Sequence, residues 1–252
     1  MRPEPIQVLQ AASRTVARPA AAASRLLIAG ATGALGNEVL RRLVGLQGAG
    51  STQVLAREPL TEGLRGVRTL LVPPLPPSQW PAATADTAVV LFDPPRLYYD
   101  RERALWTPEP AQLPEVAGWL RASGVGTLAV VLPHAQGRLP EALKRGLASL
   151  DEHAVAQLGF DRLVIIRSAQ RPQETAPAGP LHGLARWMLS ITRLMVPSSE
   201  QPVRAAKVAQ LLAAALRLAP PGIHVAGPEL VWQAAQGDAA HVAQVAARWL
   251  QR

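Results

Sequence analysis

The sequence GATGALG occupies residues 30–36, directly after the apolar run LLIA at residues 26–29 and before a segment of helical periodicity. In such a loop the first glycine permits a tight turn, the second lets the backbone approach a pyrophosphate, and the third allows close packing of helix on strand. The N-terminus of the following helix attracts phosphate groups. The order strand, glycine loop, helix therefore predicts a dinucleotide site, with a purely structural turn as the alternative.

Short apolar runs alternate with longer segments of helical period, which is typical of a doubly wound α/β fold built on a Rossmann-type parallel sheet. The predicted strands are 25–29, 52–56, 68–72, 87–92, 127–132, 163–167 and 222–226. The predicted helices are 35–47, 110–123, 140–158, 181–195, 203–218 and 239–251.

We expect a flexible N-terminal arm over residues 1–24, followed by a single domain over residues 25–252. A small C-terminal helical portion is expected to begin at about residue 180 and to lie on the substrate or partner side. The arm is rich in arginine and poor in acids, so an organelle transit peptide is the alternative interpretation of these residues.

Two stretches, 73–81 and 92–110, are the least typical of regular structure because proline interrupts helices and central strands. The second stretch follows the fourth predicted strand. In doubly wound folds, ligands bind beyond the carboxyl ends of the strands near the point where the strand order reverses. We therefore expect residues 92–110 to form a wall or lid of the site.

The composition narrows the classes of function. The 252-residue chain contains no cysteine, which excludes disulfides, thiolate nucleophiles and cysteine-bound zinc, and its five histidines lack ligand spacing. We therefore expect no metal.

The formal net charge is +8, but the arginines that supply it are dispersed, which disfavours nucleic acid as a partner. No charge-free run of apolar residues is long enough to predict a membrane-spanning helix.

The residue at the end of the second predicted strand indicates which dinucleotide binds. An acidic side chain there would hold the ribose hydroxyls of NAD, but the sequence has Arg57. A guanidinium can bind a 2′-phosphate through two hydrogen bonds, so the sequence favours NADP over NAD. The alternative is that Arg57 is a solvated arginine at a strand end. Because of this alternative, and because Glu58 lies beside Arg57, NAD is kept as a second candidate cofactor.

Three segments together resemble a known family. They are the glycines of residues 30–36, the sequence LAREP at residues 55–59, and the sequence FDRLVIIRS at residues 160–168. Over about residues 25–226 the chain is similar to the atypical short-chain dehydrogenases, and among them to the NmrA-like and Tat-interacting-protein group. The resemblance implies a Rossmann fold that binds a nicotinamide dinucleotide, and only the glycine motif in it is specific.

The catalytic residues that this resemblance implies are largely absent. Active members of the wider family use a serine at the end of the fifth strand, a tyrosine as acid or base, and a lysine four residues later. Here the fifth predicted strand ends without a serine, and Pro140 stands four residues before Lys144. Hydride transfer by a tyrosine–lysine pair is therefore not expected, whereas binding of the cofactor does not require that pair.

Other side chains are candidates for the nicotinamide end. His134, just past the fifth predicted strand, and Tyr98 or Tyr99, after the fourth, are alternative acids or bases. Lys144 stands where the family lysine would fall, so it is a candidate catalytic residue and cofactor ligand, with a solvated helix lysine as the alternative. The resemblance places Ser168 at the nicotinamide end. The full set of predicted cofactor contacts is Gly30, Thr32, Gly33, Ala34, Leu35, Gly36, Arg57, Lys144 and Ser168.

The sequence LHGLARWMLSITRLMV at residues 181–196 predicts a helix of unusual surface. Its polar side chains recur every three or four residues and so form one narrow stripe on a helix that is otherwise apolar. Such a helix is expected to pack inside the substrate-side portion. Binding to a membrane surface and docking onto a partner protein are the alternatives.

These patterns lead to three hypotheses. The first is an NAD(P)-binding relative of the atypical short-chain dehydrogenases that lacks the conventional Ser-Tyr-Lys site and has a redox-sensing, regulatory or assembly role. The second is an active NADP-dependent oxidoreductase that uses His134, Tyr98 or Tyr99. The third is a subunit held in a complex or at a membrane surface with a structural cofactor. The predicted location is the cytoplasm, with peripheral membrane attachment under the third hypothesis.

Overall fold

The structure is a computed structural model that describes residues 25–46, 51–60, 66–96, 99–134, 149–169 and 203–251. Within these ranges seven strands form one sheet. They are β1 (Leu26–Ala29), β2 (Thr52–Ala56), β3 (Val67–Leu71), β4 (Thr87–Leu91), β5 (Thr127–His134), β6 (Arg162–Ala169) and β7 (Gly222–Ala226). All neighbouring strands are parallel, in the order β3-β2-β1-β4-β5-β6-β7. The strand order reverses between β1 and β4, which is the switch point of a doubly wound sheet.

Helices cover both faces of this sheet. They are α1 (Gly33–Leu46), α2 (Asp100–Ala104), α3 (Leu113–Ala122), α4 (Leu150–Gln157), α5 (Ala205–Leu218), α6 (Pro228–Ala235) and α7 (Ala239–Leu250). Helices α1, α5, α6 and α7 contribute to one hydrophobic core, and α3 and α4 contribute to the other. The predicted α/β fold with a C-terminal helical portion is confirmed.

The central strands are apolar throughout because each of them has a core on both faces. Alternate residues of a strand point to opposite sides of the sheet. Leu26 and Ile28 of β1 accordingly belong to the core that includes α1, and Leu27 and Ala29 belong to the core that includes α3. A strand such as β1 that is buried on both faces therefore appears in the sequence as a short continuous apolar run.

Two helices lie where the sequence predicted none. Helix α2 falls within the proline-containing stretch 92–110, but its five residues lie between the prolines and include none of them. Helix α6 begins at Pro228, a position at which proline is favourable because the first N–H of a helix has no partner within it. For the stretch 92–110 the prediction was wrong because it considered the number of prolines and not their positions, whereas the segment of α6 was simply not predicted as a helix.

Strand β5 is two residues longer than predicted, so His134 is the last residue of the strand rather than a residue beyond it. Strand β4 ends at Leu91, opposite Val131, so beyond Val131 strand β5 is hydrogen-bonded to β6 alone. Proline is tolerated at position 133 because this part of β5 is an edge of the sheet. In that pairing Pro133 lies opposite Ser168.

Some predictions fall outside the described residues. Tyr98, Lys144 and the segment 181–196 all lie there, as does the first part of the helix predicted over residues 140–158. In the part of the chain that the structure describes, helices long and apolar enough to cross a membrane are absent.

Candidate functional site

The glycine loop joins β1 to α1 with the backbone that its sequence predicts. Gly30 and Gly33 have φ angles of 78° and 66°, which side chains other than glycine rarely adopt. A Cβ atom on Gly30 would overlap the carbonyl oxygen of Leu91, and one on Gly36 would lie 2.6 Å from the carbonyl oxygen of Gly30. The three glycines are therefore required by the close approach of β1, β4 and α1.

Two carboxylates of the chain itself lie at the N-terminus of α1. Glu102 Oε2 accepts a hydrogen bond of 3.0 Å from the Gly33 N–H, and Asp93 Oδ2 accepts one of 3.0 Å from the Leu35 N–H. The first N–H groups of a helix lack partners within the helix and carry partial positive charge, so they bind anions. The carboxylate oxygens therefore occupy positions at which a bound phosphate would accept the same hydrogen bonds.

The Glu102 side chain is completely buried, and several donors converge on it. Asn37 donates from Nδ2 at 2.7 Å, and Arg96 donates from both its backbone N–H and its Nε at 2.8 Å. The Arg96 guanidinium also forms an ion pair with Glu102 and lies 3.8 Å from the centre of the Tyr99 ring. The buried charge is thus paired and hydrogen-bonded, which is the condition under which an ion can be kept out of water.

Burial and hydrogen bonding act in opposite directions on this carboxyl group. Burial raises the pKa of Glu102, but hydrogen bonds from the Arg96 side chain and backbone, the Gly33 N–H and Asn37 outweigh it and hold the pKa below its ordinary value. A carboxylate of lowered pKa is ionised at neutral pH. The N-terminus of α1 therefore faces a full negative charge.

We expect acid to weaken the contribution of Glu102 to stability. Its folded-state pKa lies below the unfolded value of about 4.3, so the contribution is complete above that pH and disappears as the pH falls through the folded value. The free energies of unfolding of wild type and Glu102→Gln should therefore converge as the pH is lowered from about 6 to 3. Urea unfolding at a series of pH values measures this difference.

The control for this prediction is Asp100→Asn, which removes a carboxylate that is 89% exposed on the same short helix. Its stability should follow that of the wild type across the same pH range. A difference between wild type and Glu102→Gln that stays constant down to the lowest pH would contradict the prediction.

Residues 99–107, which we call the strap, cross the carboxyl ends of β1 and β2. The N–H of Arg57 donates to the Ala104 oxygen at 2.8 Å, the N–H of Trp106 to the Leu55 oxygen at 2.9 Å, and the N–H of Gly30 to the Trp106 oxygen at 3.1 Å. A dinucleotide bound at the glycine loop would extend towards the end of β2 through this cleft. The strap fills the cleft with its own backbone.

Thr32 fixes the strap against the glycine loop. This residue is completely buried, and its Oγ1 lies 2.5 Å from the Asp93 carbonyl oxygen, to which it donates, and 2.8 Å from Thr107 Oγ1. The sequence predicts Thr32 as a cofactor contact, whereas the structure places its side chain in contact with the chain itself. Residues of the stretch 92–110 contact the glycine loop through Asp93, Glu102 and Thr107.

A cavity of about 690 Å³ adjoins the strap at Trp106. Its lining includes Arg57 and Glu58 after β2, Val72 and the prolines after β3, and the indole rings of Trp80 and Trp106, whose centres are 4.8 Å apart. Flat apolar walls beside a guanidinium suit a planar ring that carries a phosphate.

The other predicted residues are distributed widely. Ala34 and Leu35 lie in the first turn of α1, with Ala34 exposed and Leu35 buried. Ser168 is 5% exposed on β6, three strands away from β1. Tyr99 is 50% exposed, and its ring lies against Arg96. His134 is placed at the end of β5 by its backbone.

Sequence analysis missed the network around Glu102. Asp93 had a recognisable signal, since it directly follows β4, and β4 pairs with β1 next to the glycine loop. Asn37 and Arg101 had no recognisable signal in the sequence. Arg101 donates a hydrogen bond of 2.8 Å from Nη2 to Asn37 Oδ1. Their role depends on the position of α2, which local sequence did not predict.

No protein-family model matches the chain, and no curated protein matches it. Several solved structures have a similar fold. The Bordetella bronchiseptica enzyme WbmH in complex with NAD+ is 13% identical with a TM-score of 0.44, and the alignment covers 82% of this chain and 79% of that one. MoeE5 in complex with UDP-glucuronic acid and NAD is 14% identical with a TM-score of 0.46, covering 81% and 76%.

A Rossmann-fold NAD(P)-binding family protein from Shigella flexneri is 18% identical with a TM-score of 0.36, and the alignment covers 67% of this chain and 86% of that one. At such identities the likeness concerns the fold alone. The order and parallel pairing of the seven strands define this chain as a Rossmann-type doubly wound α/β protein.

Proposed function

We propose that the protein binds a nicotinamide dinucleotide at residues 30–36 and acts in regulation or redox sensing rather than in carbonyl reduction. One observation carries the proposal. The N-terminus of α1 already holds two anionic oxygens, from Glu102 and Asp93, at 3.0 Å from backbone N–H groups. This loop is therefore built to bind negative charge in the place where a pyrophosphate binds in Rossmann folds.

Each half of the ligand has residues that suit it. The N–H groups of Gly33 and Leu35 would hold the phosphates, because those two groups bind anionic oxygens in the described conformation. Arg57, at the end of β2 beside the cavity with Trp80 and Trp106, would hold the 2′-phosphate of NADP. When bound, the dinucleotide would supply two redox states that the protein can distinguish.

In the described conformation, one feature opposes binding of the dinucleotide at the glycine loop. The two N–H groups that would bind the phosphates already have carboxylate partners, and the strap lies across the cleft. The backbone of the loop thus suits the ligand, while the positions of the ligand are filled by the chain.

A regulatory role is favoured because the reductase residues are missing. Strand β5 ends in Pro133 and His134 in place of the serine that orients a carbonyl. Pro140 stands where the sequence of an active relative would have its tyrosine. A proline has no acid or base to offer, so an active oxidoreductase, the second hypothesis, would have to use His134, Tyr98 or Tyr99 instead.

The proposal is tested by titrating the protein with NADPH and NADH and following its melting temperature. A ligand that binds the folded state raises the melting temperature with concentration, and we expect NADPH to act at lower concentration than NADH. Arg57→Gln should weaken NADPH binding by about tenfold and leave NADH unchanged, because a charge-assisted hydrogen bond is lost.

Arg68→Gln is the matched control, since Arg68 is an exposed arginine on the neighbouring strand β3. It should not change either titration. Failure of both cofactors to raise the melting temperature at millimolar concentration would overturn the proposal. Turnover that is lost in His134→Gln would instead support the oxidoreductase.

A further inference from the structure

We infer that the strap is an intramolecular competitor of the dinucleotide, with its Glu102 in the place of one of the ligand's phosphates and Asp93, in the loop before the strap, beside it. This inference rests on the proposed function, because a competitor needs a ligand to compete with. It adds a regulatory device to that site. The protein would bind the dinucleotide only when the strap leaves the glycine loop.

The first argument concerns hydrogen-bond donors. A backbone N–H has a single hydrogen, and those of Gly33 and Leu35 point at carboxylate oxygens at 3.0 Å. A pyrophosphate at the same place would lose these donors and would lie against two negative charges. The carboxylates and the phosphates therefore exclude each other.

The second argument concerns space. Ala104, Leu105 and Trp106 bond to the ends of β1 and β2 like a short additional strand, and Leu105 and Trp106 are 3% and 7% exposed. Trp106 accepts a hydrogen bond from the Gly30 N–H and also lines the cavity beside Arg57, and Ala104 accepts one from the Arg57 N–H. A dinucleotide that reaches from the loop to Arg57 must displace them.

The third argument concerns the strength of the closed arrangement. Helix α2 has five residues, and a helix of that length is not stable without tertiary contacts. The charged anchor of the strap is Glu102, the one carboxylate of α2 that is buried, while Asp100 on the same helix is exposed to solvent. Loss of the Glu102 bonds should therefore make local opening of the strap easier, although the backbone bonds of residues 104–106 remain, and leave the sheet intact.

The test compares the affinity for NADPH of wild type, Glu102→Gln and the control Asp100→Asn by calorimetric titration. Glutamine has the shape of glutamate, but it lacks the charge and presents an amide group to the N–H of Gly33 and to Arg96. We expect Glu102→Gln to bind at least about tenfold more tightly than wild type, because opening of the strap no longer opposes binding. Asp100→Asn should bind as wild type does.

A second measurement needs no variant. The Arg57 amide donates to the strap, and the Trp106 amide is part of it. In wild type, hydrogen exchange at these two amides should become faster when NADPH is added, whereas the amides of Gly33 and Leu35 should stay protected. This result separates displacement of the strap from a general change in stability.

The outcomes distinguish the two proposals. Equal affinity of wild type and Glu102→Gln, or slower exchange in the strap on binding, would overturn the inference and leave the dinucleotide site standing. Weaker binding by Glu102→Gln would also overturn it, since Glu102 would then support the site. If neither protein binds NADPH, the proposed function fails, and the inference fails with it.

Discussion

Glu152→Gln should lower the free energy of unfolding by about 3–5 kcal/mol, because it removes one of the two charges of a buried ion pair. Glu152 on α4 and Arg167 on β6 are 3% and 2% exposed. Arg167 donates from Nε to Oε1 at 3.1 Å and from Nη2 to Oε2 at 2.5 Å, so the pair is bidentate. An arginine cannot lose its proton to escape burial, which makes the cost larger than for most surface substitutions.

Asp151→Asn is the matched control for this prediction, since Asp151 precedes Glu152 on α4 and is exposed. It should change stability by less than about 0.5 kcal/mol. The double variant Glu152→Leu with Arg167→Met should regain most of the loss, because an apolar pair in place of a buried ion pair is often neutral. Urea unfolding measures all three, and a loss below about 1 kcal/mol in Glu152→Gln would show that solvent reaches the pair.

Gly36→Ala should destabilise the protein by about 3 kcal/mol or more, because its Cβ has no space. The Cβ would lie 2.6 Å from both the carbonyl carbon of Ala31 and the carbonyl oxygen of Gly30. These are backbone atoms of the glycine loop, which cannot turn aside as the end of a flexible side chain can. Helix α1 would have to move away from β1, and the anion position at its N-terminus would move with it.

Gly45→Ala provides a matched control for this second prediction, since Gly45 is on the same helix and a Cβ there would meet no atom within 4 Å. Alanine in an open helical position is expected to stabilise by about 0.5–1 kcal/mol, because glycine loses more backbone freedom on folding. The two variants should therefore differ in sign in thermal and urea unfolding. A Gly36→Ala variant as stable as wild type would contradict the packing of α1 on β1.

The sequence was sufficient for the sheet because each central strand is a short run of apolar residues between turns. Five of the seven strands were predicted to within a residue of their observed ends. Strands β5 and β6 each extend two residues further than predicted. The extension of β5 through Pro133 depends on where β4 ends, and that is a property of the neighbouring strand.

The site was predicted less completely because its decisive contacts are distant in sequence. Gly33 and Glu102 are separated by 69 positions, and no local pattern indicates that a carboxylate will return to the loop. Asp93 was accessible to sequence reasoning, since it follows a strand that pairs with β1. Glu102 was not, because its place depends on α2, a helix of five residues.

The carboxylates at the N-terminus of α1 also bear on how the protein is made and maintained. A Rossmann protein whose glycine loop lacks internal partners gains stability from its cofactor, so its folded population follows the amount of cofactor in the cell. In this chain the loop finds its anions during folding, from residues of the same polypeptide. A newly synthesised molecule can therefore complete the hydrogen bonds at the N-terminus of α1 from its own side chains.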